Sequence, residues 1–189
     1  DARDGQEYLV VIIGKRAWMA ENLRFNDGKS ECYNSSSDNC RVYGRYYTWS
    51  QALGIDANCD SKRCTTKNRS IRGVCPEGWH IPTQKEWGAL AQYVQRKAGS
   101  KVNNVLRSTF AWKGAQGSNE SGFNALPSGF RYQNGNFMSL GKTARFWSAD
   151  EFNEVESIAW ELYNEYGTGL EPQNSYKQHE LSVRCVSDE

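Results

Sequence analysis

Histidine, methionine and proline are scarce in this chain of 189 residues, which has two His, two Met and four Pro. His80 and His179 stand far apart and no Cys-x-x-Cys pair occurs, so a tetrahedral zinc cluster has no ligand set to draw on. Charge of one sign is also lacking. Lys and Arg total 23 against 22 Asp and Glu, a formal net charge of +1. That leaves no basic excess to hold a nucleic-acid backbone or an anionic membrane. The longest apolar run, Leu9 to Ile13, is far too short to span a bilayer. No Gly-x-Ser-x-Gly elbow, P-loop or His-Glu-x-x-His is present, and no pair of carboxylates stands out for glycoside cleavage. The chain is therefore read as non-catalytic, with no cofactor expected and calcium left open. No signal peptide stands in the sequence, and for an exported chain the expectation is that a leader was removed or lies upstream.

Rings and cysteines are what the chain does have. Hydrophobic residues make up 38% and aromatics 13%, with seven Trp and ten Tyr. The core should lean on rings, which bury a large area while keeping a polar tip in reach of water. The length suits one domain, taken as residues 1–189. Six Cys fit full pairing in an oxidising compartment. They allow 15 connectivities, but Cys32 and Cys40 bracket one polar loop and Cys59 and Cys64 another. Local pairs can staple both loops, which leaves Cys75 to pair with Cys185 across most of the domain.

Hydrophobic patterning predicts the elements. Tyr8 to Ile13 is β-branched and apolar on both faces, which reads as a buried strand. Gly14-Lys15 turns it toward a hairpin partner at Ala17-Trp18-Met19. Residues 26–41 read as loop, and a short helix fits within Tyr43 to Leu53. Thr83-Gln84-Lys85-Glu86 has the form of a capping box. Trp87, Leu90, Ala91 and Val94 follow at helical spacing, with Gly99 as the stop. Asn134-Gly135 between Phe130-Arg131-Tyr132 and Phe137-Met138 signals a two-residue hairpin. Strands follow at Phe146 to Ser148 and Ile158 to Tyr163. Residues 164–180 read as loop, and Leu181 to Val186 as a last alternating strand. The fold class is α+β with segregated elements.

These residues also carry a resemblance. Asp4-Gly5-Gln6, Trp18-Met19-Ala20-Glu21-Asn22-Leu23, Tyr43-Gly44-Arg45, Gly73-Val74-Cys75-Pro76-Glu77-Gly78-Trp79-His80, Gly122-Phe123, Ala125-Leu126-Pro127, Phe146-Trp147-Ser148 and Ser182-Val183-Arg184-Cys185-Val186 run in order along the chain. Together they resemble the Fibrobacter succinogenes major paralogous domain. The resemblance implies a C-type-lectin-like fold in an exported bacterial protein, displayed on the cell surface. It also implies a long bridge similar to Cys75–Cys185 and a binding face made of long loops. Glu180-Leu181 departs from the family, where Gly-Phe is more usual. The Glu-Pro-Asn and Trp-Asn-Asp blocks of a calcium-dependent lectin are not matched. The nearest run, Glu171-Pro172-Gln173-Asn174, is off by one residue, so no calcium site is carried over.

The expected ligand site is the stretch after the Ile158 strand. Tyr163, Tyr166 and Tyr176 lie there with Glu165, Glu171 and Asn174, and flat rings beside amides and carboxylates suit sugar rings or a protein epitope. The expected partner is a polysaccharide or a protein, and self-association stays open. A structural subunit of a surface assembly is the rival reading. Trp18, Trp49, Trp79, Trp87 and Trp147 are read as core, and His80 and His179 as hydrogen-bonded structural residues. Asp56, Asp60, Asp150, Glu151 and Glu154 lack a regular ligand spacing and are read as surface charges.

Overall fold

Gly14 takes φ 69° at the first position of a two-residue turn, the conformation a II′ hairpin requires of it. The chain reverses there between β1 (Val10–Ile13) and β2 (Arg16–Met19). These are the first elements of a computed structural model that describes residues 1–64, 66, 70–164 and 169–188. After β2 come a 3-10 turn at Tyr33–Ser35, α1 (Ser37–Tyr43), α2 (Trp49–Leu53) and a second 3-10 turn at Ala57–Asp60. Next are β3 (Trp79–His80), α3 (Gln84–Ala98) and α4 (Val102–Leu106). The strands β4 (Phe130–Arg131), β5 (Phe137–Met138), β6 (Thr143–Glu151), β7 (Glu156–Tyr163), β8 (Glu171–Tyr176) and β9 (Val186–Ser187) complete the chain.

Among the described residues the strands form three antiparallel sheets, in orders β1-β2-β9-β3, β4-β5 and β6-β7-β8. The end of the chain lies beside its beginning, since β9 sits between β2 and β3 with Val186 opposite both Trp18 and His80. The helix α3 forms where its local signals place it. Thr83 Oγ1 accepts from the Glu86 N–H at 3.3 Å, and Glu86 Oε2 accepts from the Thr83 N–H at 2.9 Å. Its apolar stripe buries Trp87, Leu90 and Val94. Trp87 stands 4.8 Å from the Trp18 ring and stacks on Phe146 and Trp160 at 5.5 and 6.3 Å. One core thus joins the helix to two sheets. A second core gathers Met19, Tyr47, Trp49, Leu53, Trp147 and Val183 around the Cys75–Cys185 bridge. The pairs Cys32–Cys40, Cys59–Cys64 and Cys75–Cys185 are all formed, and no cysteine is free.

Six expectations need correction. The strand β1 is an edge strand, with Val10 49% and Ile12 76% exposed. Its other face, Val11 and Ile13, packs on the core. The supposed loop 26–41 runs into α1, whose middle residue Cys40 is tied to Cys32 ahead of the helix. The supposed loop 164–180 contains β8, an outer strand whose polar residues pair with β7. Residues 181–186 are not one strand. Their carbonyls serve different neighbours, Leu181 O accepting from Tyr47 N, Ser182 O from Trp147 N and Cys185 O from Met19 N. Both faces of that run are buried, so alternation there marks no solvent side. At the β4–β5 hairpin the reversal is longer than two residues. Gly135 alone carries positive φ, 87°, and its N–H bonds Tyr132 O. Trp79 is also only half-buried, whereas Trp18, Trp49, Trp87 and Trp147 are core.

Candidate functional site

Register divides the residues expected to bind a ligand. Glu161 pairs with Glu171, Ile158 with Asn174 and Glu156 with Tyr176. Because side chains alternate along a strand, Glu171 shares a face with Glu161 and Tyr163, while Asn174 and Tyr176 begin on the opposite face. Tyr166 and Glu165 lie outside the described residues. The first group is occupied by its own contacts. Tyr163 donates its hydroxyl to Glu161 Oε2 at 2.8 Å, and Arg145 Nε lies 3.2 Å from the same oxygen. Burial, opposed by Arg145, raises the Glu161 pKa, and burial together with Glu161 pushes the Tyr163 hydroxyl up to about 12.

Tyr176 finds different company. The chain turns after β8, with His179 N–H bonding Tyr176 O, and the His179 ring comes back to 5.4 Å from Tyr176. Tyr132 packs edge-on against His179 at 5.0 Å, and Phe130 lies 4.9 Å from Tyr132. Tyr176 is 52% exposed. Gln133, Asn174 and Gln178 are exposed around it. A cavity of about 200 Å³ opens between Tyr176, Gln133, Gln178, Val155 and Asp60. Burial, with nearby Arg145, lowers the His179 pKa, so its ring is neutral at pH 7. The Ser175 hydroxyl stands 3.3 Å from its Nδ1. A neutral aromatic surface fringed by amides can stack on a flat apolar face and hydrogen-bond its rim.

The support beneath these rings is buried and densely bonded. Lys177 follows Tyr176 and is fully buried, with Nζ 2.6 Å from Glu151 Oε1, 2.9 Å from Glu154 O and 3.1 Å from Lys62 O. The same nitrogen stands over the Trp49 ring at 4.8 Å. Tyr132 is brought in by its neighbour, because Arg131 and Glu180 exchange two main-chain hydrogen bonds and an ion pair. Sequence reasoning missed Tyr132 and Lys177 and read His179 only as structural. The available signal was the hairpin around Asn134-Gly135, but nothing local says which strand that hairpin meets.

Three acids expected on the surface are inside. Asp60 accepts from Ser50 N and Oγ at 2.8 and 2.7 Å, Asp150 accepts from Gln84 N, and Glu151 accepts from Lys177 and Cys64 N. A buried carboxylate needs such donors, and here the loop and helix starts supply them. Asp56 caps the second 3-10 turn through Asn58 N. No group of three or more His, Cys, Asp or Glu that could hold a metal occurs among the described residues. His80 is buried, its Nδ1 2.6 Å from Asp188 and its Nε2 2.9 Å from Glu86. It clamps the end of the chain to the start of α3.

Three disulfides fit an oxidising, extracellular setting. No helix among the described residues is long and apolar enough to cross a membrane. No curated protein and no solved structure matches the chain. The Fibrobacter succinogenes major domain model covers residues 11–187, and the chain belongs to that family.

Proposed function

We propose that this protein is a non-catalytic recognition domain of C-type-lectin-like fold, displayed at the cell surface, that binds a polysaccharide or a protein partner through the Tyr132–His179–Tyr176 surface. The observation that carries the reading is the exposed ring of Tyr176, held by His179 and Tyr132 and surrounded by amides. The lectin-like part rests on the last strand lying inside the first sheet and on the long Cys75–Cys185 bridge. Paired cysteines support the non-catalytic part, since a thiol nucleophile needs a free thiolate. Pull-down of the oxidised protein on insoluble cellulose, xylan and pectin, with and without EDTA, tests it. Binding to one of them should weaken about tenfold or more in Tyr176→Ala or Tyr132→Ala, a loss typical of a central aromatic contact. Retention in EDTA is expected. Binding that both variants keep would reject this surface, and failure on all three polymers would leave the protein partner.

A further inference from the structure

The outer edge of β1 is bare. Ala20 N bonds Leu9 O, whereas Met19 N bonds Cys185 O and Ala17 N lies 3.3 Å from Ser187 Oγ, both away from β1. Val10 and Ile12 face Met19 and Ala17 across the hairpin. They are therefore the wide, non-bonded pairs of the antiparallel ladder, and their N–H and C=O groups point outward. No described residue bonds them. Their side chains, 49% and 76% exposed, stand beside that edge, as does Leu9 at 69%. Val10-Val11-Ile12-Ile13 carries no Pro and no charge. Such devices normally blunt an edge strand.

We infer that β1 pairs with β1 of a second copy of this chain, antiparallel about a two-fold axis at Val11. Three features choose this occupant. First, the axis sets Val10 opposite Ile12 of the second copy, and both present outward N–H and C=O groups, so about four hydrogen bonds form in narrow pairs. Second, the same register sets exposed Glu7 opposite exposed Lys15 of the second copy, an attraction repeated by symmetry. Third, an isologous contact closes at two copies, which is how a bare edge avoids growing into a fibre. Gly122 and α3 meet Val11 and Ile13 on the core face, and a cavity of about 540 Å³ opens between Ile12, Lys97, Lys101 and Glu120. The result is one continuous sheet with β1 strands at its centre. A strand pair this short makes a small interface, so the dimer is a weak one.

Sedimentation equilibrium of the oxidised protein between about 1 μM and 1 mM, a span set by millimolar-to-micromolar affinities, should show a monomer–dimer equilibrium. Ile12→Lys and Val10→Lys should each weaken it at least about tenfold, with the circular dichroism of the fold unchanged, since both side chains are exposed. Phe152→Lys, at a 51% exposed ring in the β6–β7 turn, should leave it intact. Hydrogen exchange at the Val10 and Ile12 amides should slow on dimerisation, while that of Val11, already bonded within the hairpin, should not. A monomer throughout, a dimer indifferent to Ile12→Lys, or association that Phe152→Lys weakens equally would overturn the inference.

Discussion

At the scale of single residues, Arg184 is a fully buried cation held by several partners. It has no exposed surface, and neutral oxygens hold it: Asn22 Oδ1 at 2.7 Å, Phe123 O at 2.6 Å, Asn124 O at 2.9 Å and Met19 O at 3.1 Å. Phe123 and Phe146 present their ring faces to it at 4.7 and 5.4 Å. Burial lowers its pKa to about 9, so it stays a cation at pH 7. Arg184→Met would strand those carbonyls without a donor. A loss of about 3 kcal/mol or more is expected in urea unfolding, on the scale of breaking buried charged hydrogen bonds. His80 makes the second residue-scale case. Burial disfavours its charge, but the bonds to Glu86 and Asp188 outweigh burial and raise its pKa above 6.5. Burial also disfavours the Glu86 carboxylate, yet His80 and the Thr83 donors bring it down to about 2 from 4.5. The His80 contribution is complete below pH 6.5 and fades as pH rises through the raised folded value. The Glu86 contribution is present above pH 4.5 and fades as pH falls through about 2. Urea melts at pH 6 and pH 8.5, roughly either side of an ordinary imidazole, should show wild type losing stability on the alkaline side. His80→Gln should flatten that decline, and an equal decline in both would remove His80 as its source.

At the scale of elements, loop closure ranks the three bridges. Cys75–Cys185 spans 110 residues, Cys32–Cys40 spans 8 and Cys59–Cys64 spans 5. On chain entropy these are worth about 5, 2.5 and 2 kcal/mol. Paired Cys→Ala replacement should therefore cost most at the long bridge, measured as the midpoint of denaturant unfolding. If either local pair cost as much, the entropic account would fail here. The elements also show what was readable in the chain. The helix α3 was legible because its capping box and its Trp87, Leu90 and Val94 stripe are local signals. The local bridges were legible because short polar loops separate their cysteines. The strand β8 was not, because Glu-Pro-Gln-Asn-Ser-Tyr lacks strand character and becomes a strand only by pairing with β7. For β1 the residue pattern was correct and its place was not. Four β-branched residues read alike in a central strand and at an edge.

At the scale of the whole molecule, the proposed binding surface is assembled from pieces far apart in the chain. Tyr132 comes from one hairpin, Tyr176 from an outer strand and His179 from the turn beyond it. The Arg131–Glu180 pairing and the buried Lys177 bring them together. A reading confined to one stretch grouped Tyr163, Glu171, Asn174 and Tyr176, which the β7–β8 register assigns to two faces. The ring surface and the bare β1 edge belong to different sheets, so the proposed ligand binding and the proposed self-pairing would not compete for one surface. The sequence by itself determined the family, the α+β class, the bridges, the main helix and a core of tryptophans, because spacing, caps and residue type act over short distances or mark themselves as cysteine does. Only the tertiary structure decided which polar residues are inside, which tyrosines meet and which strand lies at an edge. Those outcomes depend on register between strands distant in the chain, and a strand's own residues do not encode its neighbour.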